Sequence, residues 1–448
     1  MNNYIPSIGN WTNYFYNDYT YNRTSSYPPN IITNLDQPKN TSISKIIHNP
    51  ELDLKLDYID SDGQLNELFF RRFRHHNEYP QYSTKDILNQ NLDVYETYLN
   101  NEILEPKVSN LVRPPDEIDQ YERANATFIS LVRNSELQGI ISAMKEVEKK
   151  FNKNFNYPWT FLNDREFTKK FIEKVQKNTN AECHFIRIPS HLWDKPFNID
   201  SNREKEGIKY LINENIQYAN KISYHNMCRF YSGNFYNIDH LKNFKYYWRI
   251  EPSTSYFTKI NYDVFKFMEL NKKTYGFTIS LYDSPQSVHT LWNATINFLK
   301  QNLHYINKNP ALDWLLYDLQ NPHHNAITSG YSTCHFWSNF EIADMDFFRS
   351  KPYTEYFNYL DNEGGFYYER WGDAPVHSLG LALFEDKSKI HWFRDIGYKH
   401  FPYFNCPNNP DCEGCEKGSF SEYANLNDQN CLPTWIKYEM TDEQLNLY

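Results

Sequence analysis

Between Ala124 and Pro189 the apolar positions change rhythm four times. "ATFISLVRN" is mostly apolar and rich in β-formers, which predicts a buried strand. In "SELQGIISAMKEVEKKFNK", Leu137, Ile140, Ile141, Met144, Val147 and Phe151 recur at helical spacing, with Asn134 or Ser135 placed to cap. "WTFLND" reads as the next strand, Asp164 can cap "REFTKKFIEKVQ", and "AECHFIRIP" is a third strand. Strand, helix, strand, helix, strand predicts a parallel, right-handed α/β sheet. Ligands of such sheets sit at the carboxyl ends of the strands. Further on, the pattern predicts a long helix from about Arg203 to Arg229 and a strand "FKYYWRIE" that ends at Glu251. "YGFTISLYD" reads as another strand and "VHTLWNATINFLKQN" as a helix. The segments from Cys334 to His400 alternate extended and helical character, and no internal repeat is evident.

Residues 1–115 read differently. The first forty are mainly Asn, Tyr, Ser, Thr and Pro without sustained periodicity, which suggests a stem or disordered arm. "LNELFFRRFRHH" and "STKDILNQNLDVYETYLNNEIL" can form helices, and "VRPPDE" (Val112 to Glu117) is a plausible linker. The expected division is therefore a stem over 1–115 and a catalytic unit over 116–448. No run of eighteen apolar residues and no signal-peptide pattern occurs. The chain as written is expected to be soluble, either cytosolic or lacking an N-terminal anchor.

Composition narrows the classes. The 448 residues carry a net charge of −10, so the basic footprint of a nucleic-acid binder is missing. The local run Arg71 to His76 reads as a solvated face or a contact for acidic lipid or protein. Aromatic residues make up 17%, which fits half-buried Tyr and Phe better than a stacking surface. Of seven cysteines, Cys406, Cys412, Cys415 and Cys431 lie near the C-terminus. They allow a zinc site or a disulfide-stapled tail; only one C-x-x-C is present, and the tail cysteines are expected to be oxidised. Pairing of Cys228 with Cys334, or of Cys183 with another, stays open. Sequons at Asn10, Asn22, Asn40, Asn125 and Asn293 fit secretory passage.

Candidate chemistry gathers downstream. Glu251 ends a strand and Pro252 turns the chain, placing an acid where a diphosphate-bridging cation is held. His400 follows another apparent strand, and imidazole suits Mn²⁺. Glu341 sits among aromatics, where an unpaired acid is costly. His377 falls on a helix that Asp373 is expected to cap, with Pro375 in its first turn. Arg133, Arg229, Arg249 and Arg370 can clamp phosphates or form structural ion pairs. No dinucleotide or phosphate-loop glycine pattern follows the first strand. Together these residues suggest a diphosphate-handling α/β enzyme with a carboxylate–histidine metal site.

"YHNMCRFYSGNFY", "YYWRIEP", "YGFTISLYD", "CHFWSNFEIADMDFFRS", "GGFYYERWGDAPVHSLGLALF" and "DIGYKHFPYFNCP" closely resemble the fungal α-1,2-mannosyltransferases of glycosyltransferase family 15. The likeness runs from about residue 120 to 435. It implies a GT-A-type fold, a Rossmann-like mixed sheet flanked by helices. It also implies GDP-mannose as donor, Mn²⁺, a mannose-terminated N- or O-linked glycan acceptor, retention, and a type II Golgi protein with an anchor ahead of the stem. By the same resemblance Glu251 and His400 hold the metal, Glu341 is the proposed nucleophile and Tyr224 stands beside the reaction centre. Arg133, Arg229, Arg249, Ser253, Asp283, Arg370 and Asp373 become donor or acceptor contacts. Two positions depart from the family pattern: Ser253 replaces the usual Asp of Glu-Pro-Asp, and Asp283 stands where Glu is common. Mannosylphosphate transfer, which occurs in the family, and a catalytically silent glycan-binding protein are the alternatives.

Overall fold

The computed structural model describes residues 84–316 and 320–448. The expected helix over "LNELFFRRFRHH" and the arm before it lie outside the described residues. Among the described residues twelve strands form three sheets, the largest having seven strands in the order β10-β6-β9-β4-β1-β2-β3. These are Ala126–Leu131 (β1), Trp159–Asn163 (β2), Cys183–Arg187 (β3), Tyr246–Arg249 (β4), Tyr275–Phe277 (β6), Ile342–Asp344 (β9) and Ile390–Trp392 (β10).

The first half follows the rhythm of the sequence. β1, β2 and β3 run parallel, and β4 joins β1 in parallel. Helix Leu137–Lys150 covers them with Leu137, Ile140, Ala143, Met144 and Val147 buried. Phe128 stacks on Trp159 at 4.4 Å and meets Trp248 and Phe265 edge-on or tilted. Aromatic side chains thus fill the core between sheet and helices, as the composition suggested.

Local punctuation differs in several places. Asn134 donates to the Glu166 carbonyl, and a 3₁₀ turn, Asn134–Glu136, precedes the helix. Thr168, not Asp164, caps the next helix by accepting from the Phe171 N–H, because that helix begins only at Lys169. The expected helix from Arg203 to Arg229 is two helices, Ser201–Asn213 and Ile222–Gly233. Asn215 and Tyr218 take φ of 57° and 60° between them, and left-handed residues cannot propagate an α-helix.

The sheet is also mixed rather than all parallel: β9 enters between β4 and β6, antiparallel to both. "YGFTISLYD" divides into β6 and Ser280–Tyr282 (β7), and β7 pairs with Cys334–Phe336 (β8) in a separate ribbon. Ser255–Tyr256 (β5), Tyr398–His400 (β11) and Tyr403–Asn405 (β12) form the third sheet, in the order β12-β11-β5.

Helix Thr84–Asn100, within the segment expected to be stem, lies on the body. Val94, Tyr95 and Leu99 are buried. Asn91 donates to Gln320 at 2.6 Å, and the Ile103 N–H to the Asn408 carbonyl at 3.0 Å. Among the described residues no helix is long and apolar enough to cross a membrane.

Disulfides join Cys334 to Cys431 and Cys406 to Cys415. Cys183, Cys228 and Cys412 are free, so Cys228 does not pair with Cys334 and the tail is only partly oxidised. Cys431 reaches back into the fold instead of closing the tail on itself. Among the described residues, the one group of three or more His, Cys, Asp or Glu close enough to share an ion is Cys406, Cys412 and Cys415. Two of those three are joined by a disulfide, which removes the thiolates a zinc site needs.

Candidate active site

The antiparallel entry of β9 creates the site. Its first residues lie at the carboxyl ends of its two neighbours, β4 and β6, so Glu341, just ahead of Ile342, arrives beside Arg249 at the end of β4. The Arg249 N–H donates to the Glu341 carbonyl at 2.9 Å. Arg249 is itself buried, and its guanidinium collects acids. Nε donates to Glu251 at 2.7 Å and Nη1 to Asp373 at 2.6 Å, with Glu341 Oε1 3.9 Å away. The Tyr231 ring covers the guanidinium, with its centroid 3.6 Å from Cζ.

Asp373 therefore does not cap its helix. Gly372 holds the N-cap position of Asp373–Phe384, and the Asp373 carboxylate accepts from Arg249 and from Ser338 at 2.7 Å. Burial would raise its pKa, but Arg249, His377 and these hydrogen bonds hold it below the usual range. Burial pushes Glu251 up against the opposing pull of Arg249.

The chain after β4 turns sharply and returns as β5. Ser253, at φ 64°, makes the left-handed step, and its N–H donates to the Gly139 carbonyl at 3.0 Å. Thr254 donates to the Glu251 carbonyl at 2.8 Å, closing the turn. A Cβ on Gly139 would stand 2.7 Å from Ser253 Oγ, so the glycine lets the helix approach the turn.

In the small sheet, Ser255 pairs with Lys399 and Tyr256 with Tyr398, antiparallel. Continuing that ladder by one residue sets Thr254 against His400, so the Glu251–Thr254 turn and the imidazole share one end of it. His400 Nδ1 is buried without a hydrogen-bond partner. Burial, with a contribution from Arg249, pushes its pKa down to about 4, leaving a neutral imidazole at pH 7. A neutral imidazole with an orphaned nitrogen, at the ladder end that the Glu251 turn leads into, offers with that carboxylate the donor types that suit Mn²⁺.

A second network adjoins the first through the segment Arg370–Asp373. Arg370 donates to Asp283 at 3.0 Å and to the Tyr224 hydroxyl at 3.3 Å. Tyr224 is half-buried and stacks on Tyr218 at 4.6 Å. Burial keeps its phenol protonated well above pH 10.

Of the residues singled out in the sequence, Glu251, Arg249, Asp373 and Glu341 come together, with Tyr224, Asp283 and Arg370 alongside. His400 ends β11, whose partner β5 follows the Glu251 turn. Ser253 is exposed in the turn. Arg229 stands apart, bound bidentately to Asp361 at 2.6 and 2.8 Å in a structural ion pair. Arg133 is exposed at the end of β1, and its backbone N–H donates to Glu136. Glu341 is fully buried, behind Arg249. In this arrangement its carboxylate has no surface open to a sugar.

Sequence reasoning missed Tyr231, Ser338 and Tyr275. Tyr275 donates to Glu341 Oε2 at 3.0 Å. Only Ser338, three residues before Glu341, gave any signal by position.

Fold and site together define a GT-A-type glycosyltransferase. The chain belongs to the family described as Glycolipid 2-alpha-mannosyltransferase, which matches residues 85–440. It is 50% identical over 374 residues to the probable mannosyltransferase KTR4 of Saccharomyces cerevisiae, covering 82% of this chain and 80% of that one. The solved structure of the S. cerevisiae mannosyltransferase Ktr4p in complex with GDP aligns with TM-score 0.82 at 48% identity, over 85% of this chain and 98% of that one. The Mn/GDP form of Aspergillus fumigatus core-mannan synthase A aligns with TM-score 0.73 at 49% identity, over 75% and 93%.

Proposed function

We propose that this chain is a metal-dependent, retaining α-1,2-mannosyltransferase that moves mannose from GDP-mannose to a mannose-terminated N- or O-linked glycan. One observation supports the reading above the others: the strand that leaves the Glu251 turn pairs with the strand that ends at His400, in a fold whose solved relatives hold GDP and Mn/GDP. Glu251 and His400 would hold Mn²⁺. Bound there, the ion would offset charge on the departing diphosphate.

This chain's own residues do the rest. Arg249 fixes Glu251 and Asp373 before donor arrives, so no reorganisation is needed on binding. Arg370, itself held by Asp283, donates to the Tyr224 hydroxyl at the partly open rim, which leaves the neutral phenol's own proton free to donate to a sugar or phosphate oxygen. With Glu341 buried, we assign it to positioning Arg249, and departure and attack on one face of the sugar become the favoured route to retention.

Residues ahead of Thr84 are assigned to the stem, and a type II Golgi location is in keeping with the sequons and disulfides. The test is GDP-mannose turnover with Mn²⁺ and a mannoside acceptor, followed by linkage analysis. Glu251→Ala and His400→Ala should each abolish metal-dependent GDP binding in calorimetry. Unchanged binding in both variants would refute the metal assignment.

A further inference from the structure

His377 sits fully buried on helix Asp373–Phe384, against Phe348 at 4.6 Å and Phe235 at 6.4 Å. Its two nitrogens face two acceptors. Nε2 is 2.9 Å from the Tyr231 carbonyl oxygen, and Nδ1 is 3.1 Å from Glu341 Oε2. A carbonyl only accepts, so Nε2 must carry hydrogen. A neutral ring would then turn a bare Nδ1 lone pair toward a carboxylate in a dry site. A proton must therefore lie between His377 and Glu341, on one or the other.

Two features place it on the ring. Glu341 Oε2 already accepts from Tyr275, as an ionised carboxylate does. The cluster also holds three acids, Glu251, Asp373 and Glu341, around the Arg249 guanidinium. Burying that charge with one cation alone is costly. The other groups facing this pair are Tyr247 from the sheet and Tyr353 from helix Lys351–Glu363; both are phenols kept neutral by burial.

We propose that His377 is a buried imidazolium and a positioning residue for the transfer reaction. Its Nδ1–H and the Tyr275 hydroxyl hold Oε2, turning Glu341 Oε1 toward Arg249, and Arg249 holds Glu251 in the metal turn. This deepens the reading of Glu341 given above.

Neutron diffraction from the deuterated, unaltered protein reads the proton directly. Deuterons on both His377 nitrogens and none on Glu341 are expected; a single ring deuteron, or one on Glu341, overturns the proposal. A double-mutant cycle supplies the energetic test, read by thermal melting without any sugar transfer. His377→Phe strands the Glu341 charge and should lower the melting midpoint strongly. His377→Phe combined with Glu341→Gln should recover much of that loss, whereas a double variant as unstable as His377→Phe overturns the proposal. In kinetics, His377→Phe should cut kcat by about tenfold or more while the GDP-mannose KM changes less. Neither the neutron nor the melting result depends on which sugar is moved, so failure of the donor assignment is distinguishable. If His377→Phe does not fold, the neutron result alone decides.

Discussion

The two halves of the large sheet divide the work. β1, β2 and β3, with helix Leu137–Lys150, are parallel, aromatic and almost free of buried charge. β4, β9 and β6 carry or adjoin Arg249, Glu251, Glu341 and Tyr275, and the helix Asp373–Phe384 adds Asp373 and His377. The difference lies in one antiparallel strand. In a parallel array every loop at the carboxyl edge leads into a helix. Inserting β9 the other way brings a loop's acid into the sheet's interior, where the Arg249 guanidinium and the His377 ring meet it. Scaffold and chemistry should therefore fail differently when altered.

The largest effect should come from Arg249→Met. Removing the shared guanidinium leaves buried carboxylates uncompensated and should cost about 3–5 kcal/mol, with metal-dependent GDP binding lost. Urea melts and calorimetry check both; a variant within about 1 kcal/mol of the parent would show that charge does not hold this half together. Phe128→Ala, in the scaffold half, should cost about 3–5 kcal/mol through the cavity it opens. Its GDP-mannose KM, measured below the melting range, should stay near the parent's, and a raised KM would blur the division.

A smaller effect concerns Asp395, buried between β10 and β11 with Tyr262 donating to it at 2.9 Å. Burial raises its pKa to about 7. Its neutral form favours the fold, so its contribution is complete below the unfolded value of about 4 and is lost as pH rises to about 7. Asp395→Asn should flatten the fall in melting midpoint across that window; an identical profile in parent and variant would disprove it.

Ser253→Asp should tighten Mn²⁺ by about tenfold, since Asp tolerates the left-handed backbone and adds a charge beside Glu251. Titration with the metal reads this, and no gain would leave the turn's role purely conformational. Gly139→Ala should be mildest, about 1 kcal/mol or less, because Ser253 Oγ is the movable end of an exposed side chain. Its signature is a weaker metal affinity with little change in melting.

The same division governs how much could be read in the sequence. Each scaffold strand is five or six residues long and each covering helix eight or more, enough for a period to register. β9 and β6 are three residues each, too short for alternation, and nothing in "FEIAD" announces an antiparallel insertion. Glu251 was legible because Pro252 marks the strand's end. Asp373 was misread as a cap because its partner, Arg249, lies 124 residues away in sequence. The break at Asn215 was signalled by "NENIQYAN", whose asparagines tolerate left-handed backbone, but the apolar spacing on either side masked it. Cys431 was assigned to the tail because sequence proximity says nothing about a partner 97 residues upstream.

That long-range cross-link ties the two ends of the working half together. Cys334 leads by seven residues to Glu341, and its sulfur is tied to Cys431, at the foot of the last long helix. A bond that closes a loop of 97 residues restrains the unfolded chain more than the nine-residue loop between Cys406 and Cys415 does. Reducing agent should therefore loosen the approach to Glu341 while leaving the parallel strands, which hold no cross-link, as they were.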